Sequence, residues 1–369
     1  MILFELNMPF DSHSMVNGAF LKHSSSSKKQ TTIVCTNKHF DALGIQEKNV
    51  KHINVNLEEF KLKKDNAKSK LGKFLITFKF IFSILRKTQE SEVLFLSLNE
   101  YDLLSIYFLN KLRPKIQIHG IIHSNLNHIK INTGRNPYHK FFGYHSCIKR
   151  IKHKNVHIIV LEELIYRNMR EQYPELCSNL SVVPHPIDGL IERNNTFSIG
   201  RYKAGVAGTL TGNKNIEAVL KLVKLCKEDR RILGFSIEYY MYLPSEFASH
   251  IGNDLSFPLQ PTRLTNDDIQ RFYNSVDFII WFHGADKYYN FSASGILLDA
   301  VKFHTPLLAL NCIALESFES KYGKISVSGD NPAEIIENLV NLDADIYQSL
   351  LKNMAKLRAD RLYTSIQLQ

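Results

Sequence analysis

The chain alternates short apolar runs with longer stretches in which apolar residues recur every three or four positions. In the first half the short runs are ILFEL, TTIVC, HINV, VLFLSL, IQIHGII, HIIVL and LSVVP. Their length and β-branched content predict strands. Helical stretches lie between them, for example 71–87, 101–112 and 138–150. Alternation of this kind predicts parallel strands joined by crossover helices. Residues 187–200, IDGLIERNNTFSIG, lose the pattern and turn polar, as an interdomain linker does. The alternation then resumes with YKAGVAG as strand, 215–227 as helix and FSIEYYMYL as strand. A helix at 266–274, VDFIIWF as strand, a helix at 295–303 and PLLAL as strand follow. In NIEAVLKLVKLC the apolar positions 216, 219, 220 and 223 line one helix face. Thr265 with Asp268 three residues on gives the next helix a capping-box-like start.

The predicted architecture is therefore α/β, with two Rossmann-like domains in tandem. The first spans 1–190 and the second 200–343. Residues 344–369 read as a C-terminal helix packing back on the first domain. SSSSKK (24–29) reads as a loop.

Composition narrows the class. With 369 residues, 44% hydrophobic and 22% charged, the chain has a soluble globular composition and length for two cores. A formal charge of +10 calls for an anionic partner: nucleic acid, a membrane surface or a phosphorylated substrate. The five cysteines show neither CxxC nor Cys/His spacing, so they read as reduced thiols of a cytosolic protein, with no zinc site. Glu5 interrupts the apolar start, and no signal peptide is expected. The most membrane-like run, FLITFKFIFSIL (74–85), is short and broken by Lys79, so no spanning helix is expected either.

Candidate chemistry sits where strands give way to helices. After VDFIIWF comes SASG and then a helix carrying a lone acid, Asp299. Free N–H groups at a helix start bind anions, so Ser294 and Gly295 suit a phosphate cradle, and Asp299 one turn on suits sugar hydroxyls. From this segment alone an ordinary N-cap and a solvent-facing acid account for the pattern better. GVAGTLTGNKNIEAV (205–219) repeats the arrangement, with Gly208 in the loop and Lys214 just before the helix. Two such units point to a shared diphosphate site.

These two motifs, in this order, resemble retaining glycosyltransferases of the GT-B fold, in particular glycosyltransferase family 4. That family opens its second domain with G-R-L-x-x-x-K-N/G. Gly208, Thr209, Leu210, Lys214 and Asn215 match it, with Thr209 where an arginine is usual. LLDAVKFHTPLLA resembles the second half of E-G-F-G-x-x-x-L-E-A-x-A-x-G-x-P-V-I-A. Asp299 falls on its second glutamate and Phe291 on its first, and SASG resembles a Ser-Gly variant of that loop. GIIHSNLNHI (120–129) resembles the strand that ends in a histidine near the donor sugar, which would be His123. NMPFDSHSMVNG (7–18) takes the place of the acceptor loop, with Asn17 and Gly18 at its end. SVVPHPIDG (181–189) resembles the hinge segment, with His185 and Pro186 as departures.

The resemblance implies a two-domain GT-B fold facing across a cleft. It implies a donor diphosphate held by Gly208, Thr209, Lys214, Ser294 and Gly295, a ribose held by Asp299, and His123 as the catalytic histidine. It implies no metal and no cofactor. The substrates would be a UDP-, GDP- or dTDP-sugar and a glycan or lipid-linked hydroxyl, in surface polysaccharide assembly. The basic stretches 61–87, with one acid, and 130–154, with none, lie in the first domain and suit an anionic membrane. A peripheral enzyme on the cytoplasmic face is expected. A nucleic-acid binder lacks a recognisable motif, an epimerase lacks a clear carboxylate pair, and a non-catalytic sugar-nucleotide binder stays open.

Overall fold

A computed structural model describes residues 1–7, 13–26, 30–45, 48–55, 60, 69–88, 90–123, 126, 129, 141–192, 197–207, 215–240, 266–282 and 291–368. The chain divides into two units. Unit 1 comprises Met1–Asp188, Tyr289–Ala293 and Arg361–Gln369, and unit 2 comprises Gly189–Tyr288 and Ser294–Asp360.

In unit 1 the elements run β1 (Ile2–Phe4), α1 (Ser14–Ser26), β2 (Thr31–Cys35), α2 (Asn37–Ala42), β3 (Val50–Asn54), α3 (Lys70–Thr88) and β4 (Glu92–Phe95). Then come α4 (Glu100–Leu112), β5 (Gln117–Ile122), α5 (Tyr144–Arg150), β6 (Val156–Val160), α6 (Glu163–Gln172) and β7 (Leu180–Val182). The strands form one seven-stranded sheet in the order β3-β2-β1-β4-β5-β6-β7. Every pairing is parallel, for example Phe4 with Val34 and Phe95. Helices cover both faces of a parallel sheet, which is why the central strands are buried almost throughout, whereas the edge strand β3 (VKHIN) is partly exposed. Phe4 and Phe95 stack at 5.2 Å on neighbouring strands. Gly120 on β5 leaves room for Leu98: a Cβ there would meet Leu98 Cδ1 at 2.4 Å.

Unit 2 runs β8 (Arg201–Ala207), α7 (Ile216–Glu228), β9 (Gly234–Tyr240), α8 (Asn266–Ser275), β10 (Phe278–Trp281), α9 (Gly295–Lys302) and β11 (Leu307–Leu310). It continues with α10 (Ile313–Tyr322), β12 (Ser326–Gly329), α11 (Pro332–Val340) and α12 (Ala344–Arg361). Among the described residues its sheet has the order β12-β11-β10-β8-β9, again all parallel. Gly205 is required by packing, since a Cβ would sit 2.6 Å from Phe272 Cζ. Tyr202, Phe278 and Tyr347 form the aromatic centre of the core.

The predicted strands are all present, and β12 adds one. ISVSG around it is short and half polar, so no apolar run announced it. Ser24, Ser25 and Ser26 belong to helix α1 and not to a loop. Their hydroxyls bond back to the carbonyls of Phe20, Lys22 and His23, which satisfies them inside a helix. Helix α12 packs within unit 2, with Tyr347 and Leu350 in its core. Of the C-terminal stretch 344–369, the residues from Arg361 onward belong to unit 1. There Arg361 forms a two-pronged ion pair with Glu162, and Ile187 exchanges backbone bonds with Arg361 and Tyr363.

Candidate functional site

In doubly wound sheets, ligands sit outside the carboxyl ends of strands, where the strand order reverses. In unit 1 that point lies between β1 and β4. A buried polar cluster occupies it. Glu5, directly after β1, is fully buried. Its carboxylate accepts from the Asn7 N–H, the Ser97 hydroxyl and Asn17 Nδ2. Asn7 also donates to Asp102 Oδ2 at 2.6 Å and accepts from Asn99 Nδ2. Asn99 and Asp102 form the capping box that starts α4. The ends of β1 and β4 are thus tied by charge-assisted bonds, which are strong in a low-dielectric setting.

His123 follows β5 at the next strand end and is buried. Its Nε2 lies 2.8 Å from the Leu96 carbonyl. A carbonyl only accepts, so the proton sits on Nε2 and Nδ1 carries the lone pair. Burial holds its pKa well below the ordinary imidazole range, with the neighbouring His13 and His185 adding to the effect. His13 precedes α1 in a left-handed conformation, φ 62°, uncommon outside glycine. Its ring lies 4.1 Å from that of His123, and its pKa too is lowered by burial. Among the described residues its buried Nδ1 has no hydrogen-bond partner. His185 stands 6.5 Å from His123, edge to face, and burial pushes its pKa down to about 3, helped by Arg361. Three uncharged imidazoles therefore gather beside the switch point of unit 1.

Asn17 and Gly18 lie in α1 and are both buried. Asn17 Nδ2 serves Glu5 Oε2 at 2.9 Å and contacts His39 Nε2 at 3.1 Å, while its Oδ1 has no partner among the described residues. Gly18 faces Asp188, whose Cβ would lie 3.6 Å from an added Cβ, an ordinary contact. The structure thus brings His123, Asn17 and Gly18 into the carboxyl-end region of one sheet. Glu5, His13 and His185 are the partners that the sequence reading did not assign. One signal was present: a lone acid closing an apolar strand marks the ligand end of a parallel sheet.

In unit 2 the matching point lies between β8 and β10. Gly208, Thr209 and Lys214, which follow β8, lie outside the described residues. Asn215 caps α7, its side chain accepting from the Ala218 N–H at 3.1 Å. After β10, Ser294 caps α9: its Oγ accepts from the Leu297 N–H at 3.3 Å and from the Trp281 indole at 3.0 Å. Among the described residues, an added Cβ at Gly295 would meet nothing within 4 Å. Asp299 is half-buried one turn further along α9, on the side of Gly295. Phe291 is a core residue of unit 1, packed near Tyr173 at 6.2 Å. Among the described residues no group of His, Cys, Asp or Glu has the arrangement of a metal site. The five cysteines are free, and burial pushes the Cys35, Cys147 and Cys226 thiols up to about 12.

Two parallel, doubly wound sheets in tandem have well-defined relatives. S. aureus TarM, solved with fondaparinux, α-GlcNAc-glycerol and UDP, matches with a TM-score of 0.63 at 12% identity, over 99% of this chain and 97% of TarM. A glycosyltransferase from Rickettsia africae matches with a TM-score of 0.61 at 13% identity, over 98% and 94%. The catalytic domain of Arabidopsis thaliana starch synthase IV, bound to ADP and acarbose, matches with a TM-score of 0.61 at 9% identity, over 98% of each chain. The fold is GT-B. No family model matches the sequence, and no curated protein sequence matches it significantly. At these identities the GT-B likeness is one of architecture, and the chemistry has to be argued from this chain's own residues.

Proposed function

We propose that this GT-B protein is a glycosyltransferase that moves a sugar from a nucleotide diphosphate sugar to a hydroxyl of a glycan or lipid-linked acceptor. The observation that carries the reading is His123: an imidazole buried at a strand end beside the switch point, with its Nε2 2.8 Å from the Leu96 carbonyl, which can only accept. Its Nδ1 lone pair accepts a hydrogen bond from a sugar hydroxyl and places no competing cation beside the reacting centre.

In this reading the bond between the anomeric carbon and the diphosphate breaks. Lys214, Thr209 and Gly208, with the amides at the start of α9 (Ser294 and Gly295), neutralise the departing charge, and no metal or cofactor is required. The acceptor oxygen takes the vacated bond on the same face, so configuration is retained, and its proton leaves with the diphosphate. Asp299 accepts from the ribose hydroxyls. The Asn17–Gly18 end of the acceptor segment, through Glu5, holds the floor of the acceptor side. The enzyme works from the cytoplasm as a peripheral protein on the inner membrane face, in the assembly of a surface polysaccharide, without specific nucleic acid.

The test is incubation with labelled UDP-, GDP- and dTDP-sugars and a lipid extract. Transfer to the extract, or slow hydrolysis of one donor, is the expected result. A second reading, a sugar-nucleotide binder without catalysis, is favoured by Thr209 and by Phe291, which serves a hydrophobic core where the family has a carboxylate. Binding without transfer or hydrolysis would select it.

A further inference from the structure

Helices α3 and α4 lie side by side in unit 1. Phe74 and Phe78 of α3 approach Phe108 of α4 at 5.4 and 6.4 Å, and Arg113 just beyond α4 donates to the Leu85 carbonyl at 2.9 Å. Their inner sides are spent on the core, through Phe74, Ile81 and Leu85 on α3 and Leu103, Ile106 and Leu109 on α4. Their outer sides are not. Leu71 and Leu75, one turn apart on α3, are 53% and 41% exposed, and Leu112 at the end of α4 is 60% exposed. A single exposed leucine is ordinary. Here the leucines stand among cations: α3 and the C-terminal end of α4 carry charge of one sign, and the acids of α4, Glu100 and Asp102, are confined to its first turn. α3 carries Lys70, Lys73, Lys79, Arg86 and Lys87, and the end of α4 and the turn after it carry Lys111, Arg113 and Lys115. Neither α3 nor residues 107–115 contain an Asp or Glu. Among the described residues none of these cations is engaged in an ion pair.

We propose that the outer face of α3 and α4 docks this protein on an anionic lipid surface. It is the membrane part of the reading above given a place, and it does not depend on glycosyl transfer. Cations alone would suit any polyanion. Leu71, Leu75 and Leu112 decide between partners, because a phosphate backbone offers them nothing, whereas the boundary between headgroups and acyl chains takes them up. No helix among the described residues is long and apolar enough to cross a membrane, so α3 lies in the plane of the surface. Lysine and arginine reach the headgroups from either side of the leucines, and each contributes about fivefold to binding near an anionic surface.

The experiment is co-sedimentation of the full chain, without donor, with phosphatidylcholine vesicles and with vesicles in which about a third of the lipid is phosphatidylglycerol. Binding to the anionic vesicles only, weakening as salt rises, is expected. Leu71→Ser with Leu75→Ser, and separately Lys79→Glu with Arg86→Glu, each lower vesicle affinity about tenfold or more with an unchanged melting temperature. Lys352→Glu with Lys356→Glu, on α12 of unit 2, leaves it unchanged. Failure of the wild type to bind anionic vesicles overturns the proposal. So does an equal loss in the unit 2 variant. Leucine variants that bind vesicles like the wild type, with RNA competing for the same lysines, would make the face a polyanion surface instead. Sugar-nucleotide turnover on the same variants keeps the two readings apart, since vesicle binding without turnover removes only the enzyme.

Discussion

The ring of His13 lies 4.1 Å from that of His123, from opposite ends of the sequence of unit 1's site. The His13 backbone is left-handed, a conformation that costs about 1 kcal/mol or more outside glycine. Such a placement is useful if the imidazole pair acts on a ligand. His123→Ala is then expected to lower sugar transfer about 10²- to 10³-fold while nucleotide affinity holds. His13→Ala is expected to act mainly on acceptor KM. Initial rates against both substrates decide. Wild-type rates in His123→Ala would remove the histidine from the chemistry.

The same burial makes the fold sensitive to acid. His13, His119, His123 and His185 all have pKa values lowered by burial, to about 4 for His119 and about 3 for His185. For a histidine with a depressed folded pKa, the unfolded chain binds more protons. The stability it permits is full above the unfolded value of about 6.5 and falls as pH drops below it, by up to about 1.4 kcal/mol per pH unit for each group until its folded pKa is reached. Urea midpoints should therefore fall steadily between pH 7 and pH 5. His119→Gln cannot charge and should flatten part of the slope. A level profile in the wild type would contradict the burial of these rings.

Much of this was legible in the sequence, for a physical reason. A strand buried on both faces is a continuous apolar run, so ILFEL, TTIVC and HIIVL announce themselves, and parallel pairing follows from the helices between them. β12 did not announce itself, because Ser326 and Ser328 break its apolar run. His123 was singled out by the resemblance of GIIHSNLNHI to a family strand, and Ser294 by its place before a helix. Glu5, His13 and His185 were not assigned, because a cluster is a property of strand order. Nothing in the linear spacing of 5, 13, 123 and 185 says that β1, β4 and β5 are neighbours. The C-terminal stretch divides for a similar reason: Tyr347 and Leu350 join the core of unit 2, while the residues from Arg361 onward belong to unit 1, and pattern alone does not separate the two.

Arg361 and Glu162 form a two-pronged ion pair that is only 6% and 13% exposed. Two buried charges are tolerable together, and one alone is not. Arg361→Met or Glu162→Gln should each cost about 3–5 kcal/mol. The double variant should recover part of that loss, since no charge is then stranded. Denaturant unfolding of the three variants tests this. Strictly additive losses would show that the two side chains do not act as a pair.

Gly205 tests packing at the centre of unit 2. Its missing side chain leaves the space that Phe272 fills, with Cζ 2.6 Å from where a Cβ would stand, and Ile279 Cδ1 is 3.1 Å away. Gly205→Ala should therefore cost about 1–3 kcal/mol by overpacking. Phe272→Leu in the same chain should return some of it. A stabilised Gly205→Ala would mean that β8 and α8 are not packed this closely.

Asp299 tests the nucleotide side. It shares the first turns of α9 with the Ser294 cap and with Gly295, at which an added Cβ would meet none of the described residues within 4 Å. If the ribose lies there, Asp299→Asn keeps the shape and loses the charged acceptor. A hydrogen bond to a charged group contributes about 1.5–3 kcal/mol, so nucleotide affinity should fall about 10- to 100-fold with the melting temperature held. Ser294→Ala behaves differently, because it removes the acceptor of both the Leu297 N–H and the Trp281 indole. It should cost about 1 kcal/mol of stability as a lost cap. Calorimetric titration with UDP, GDP and dTDP against both variants separates the two effects. Unchanged affinity for every nucleotide in Asp299→Asn would place the ribose elsewhere and leave Asp299 a structural residue of unit 2.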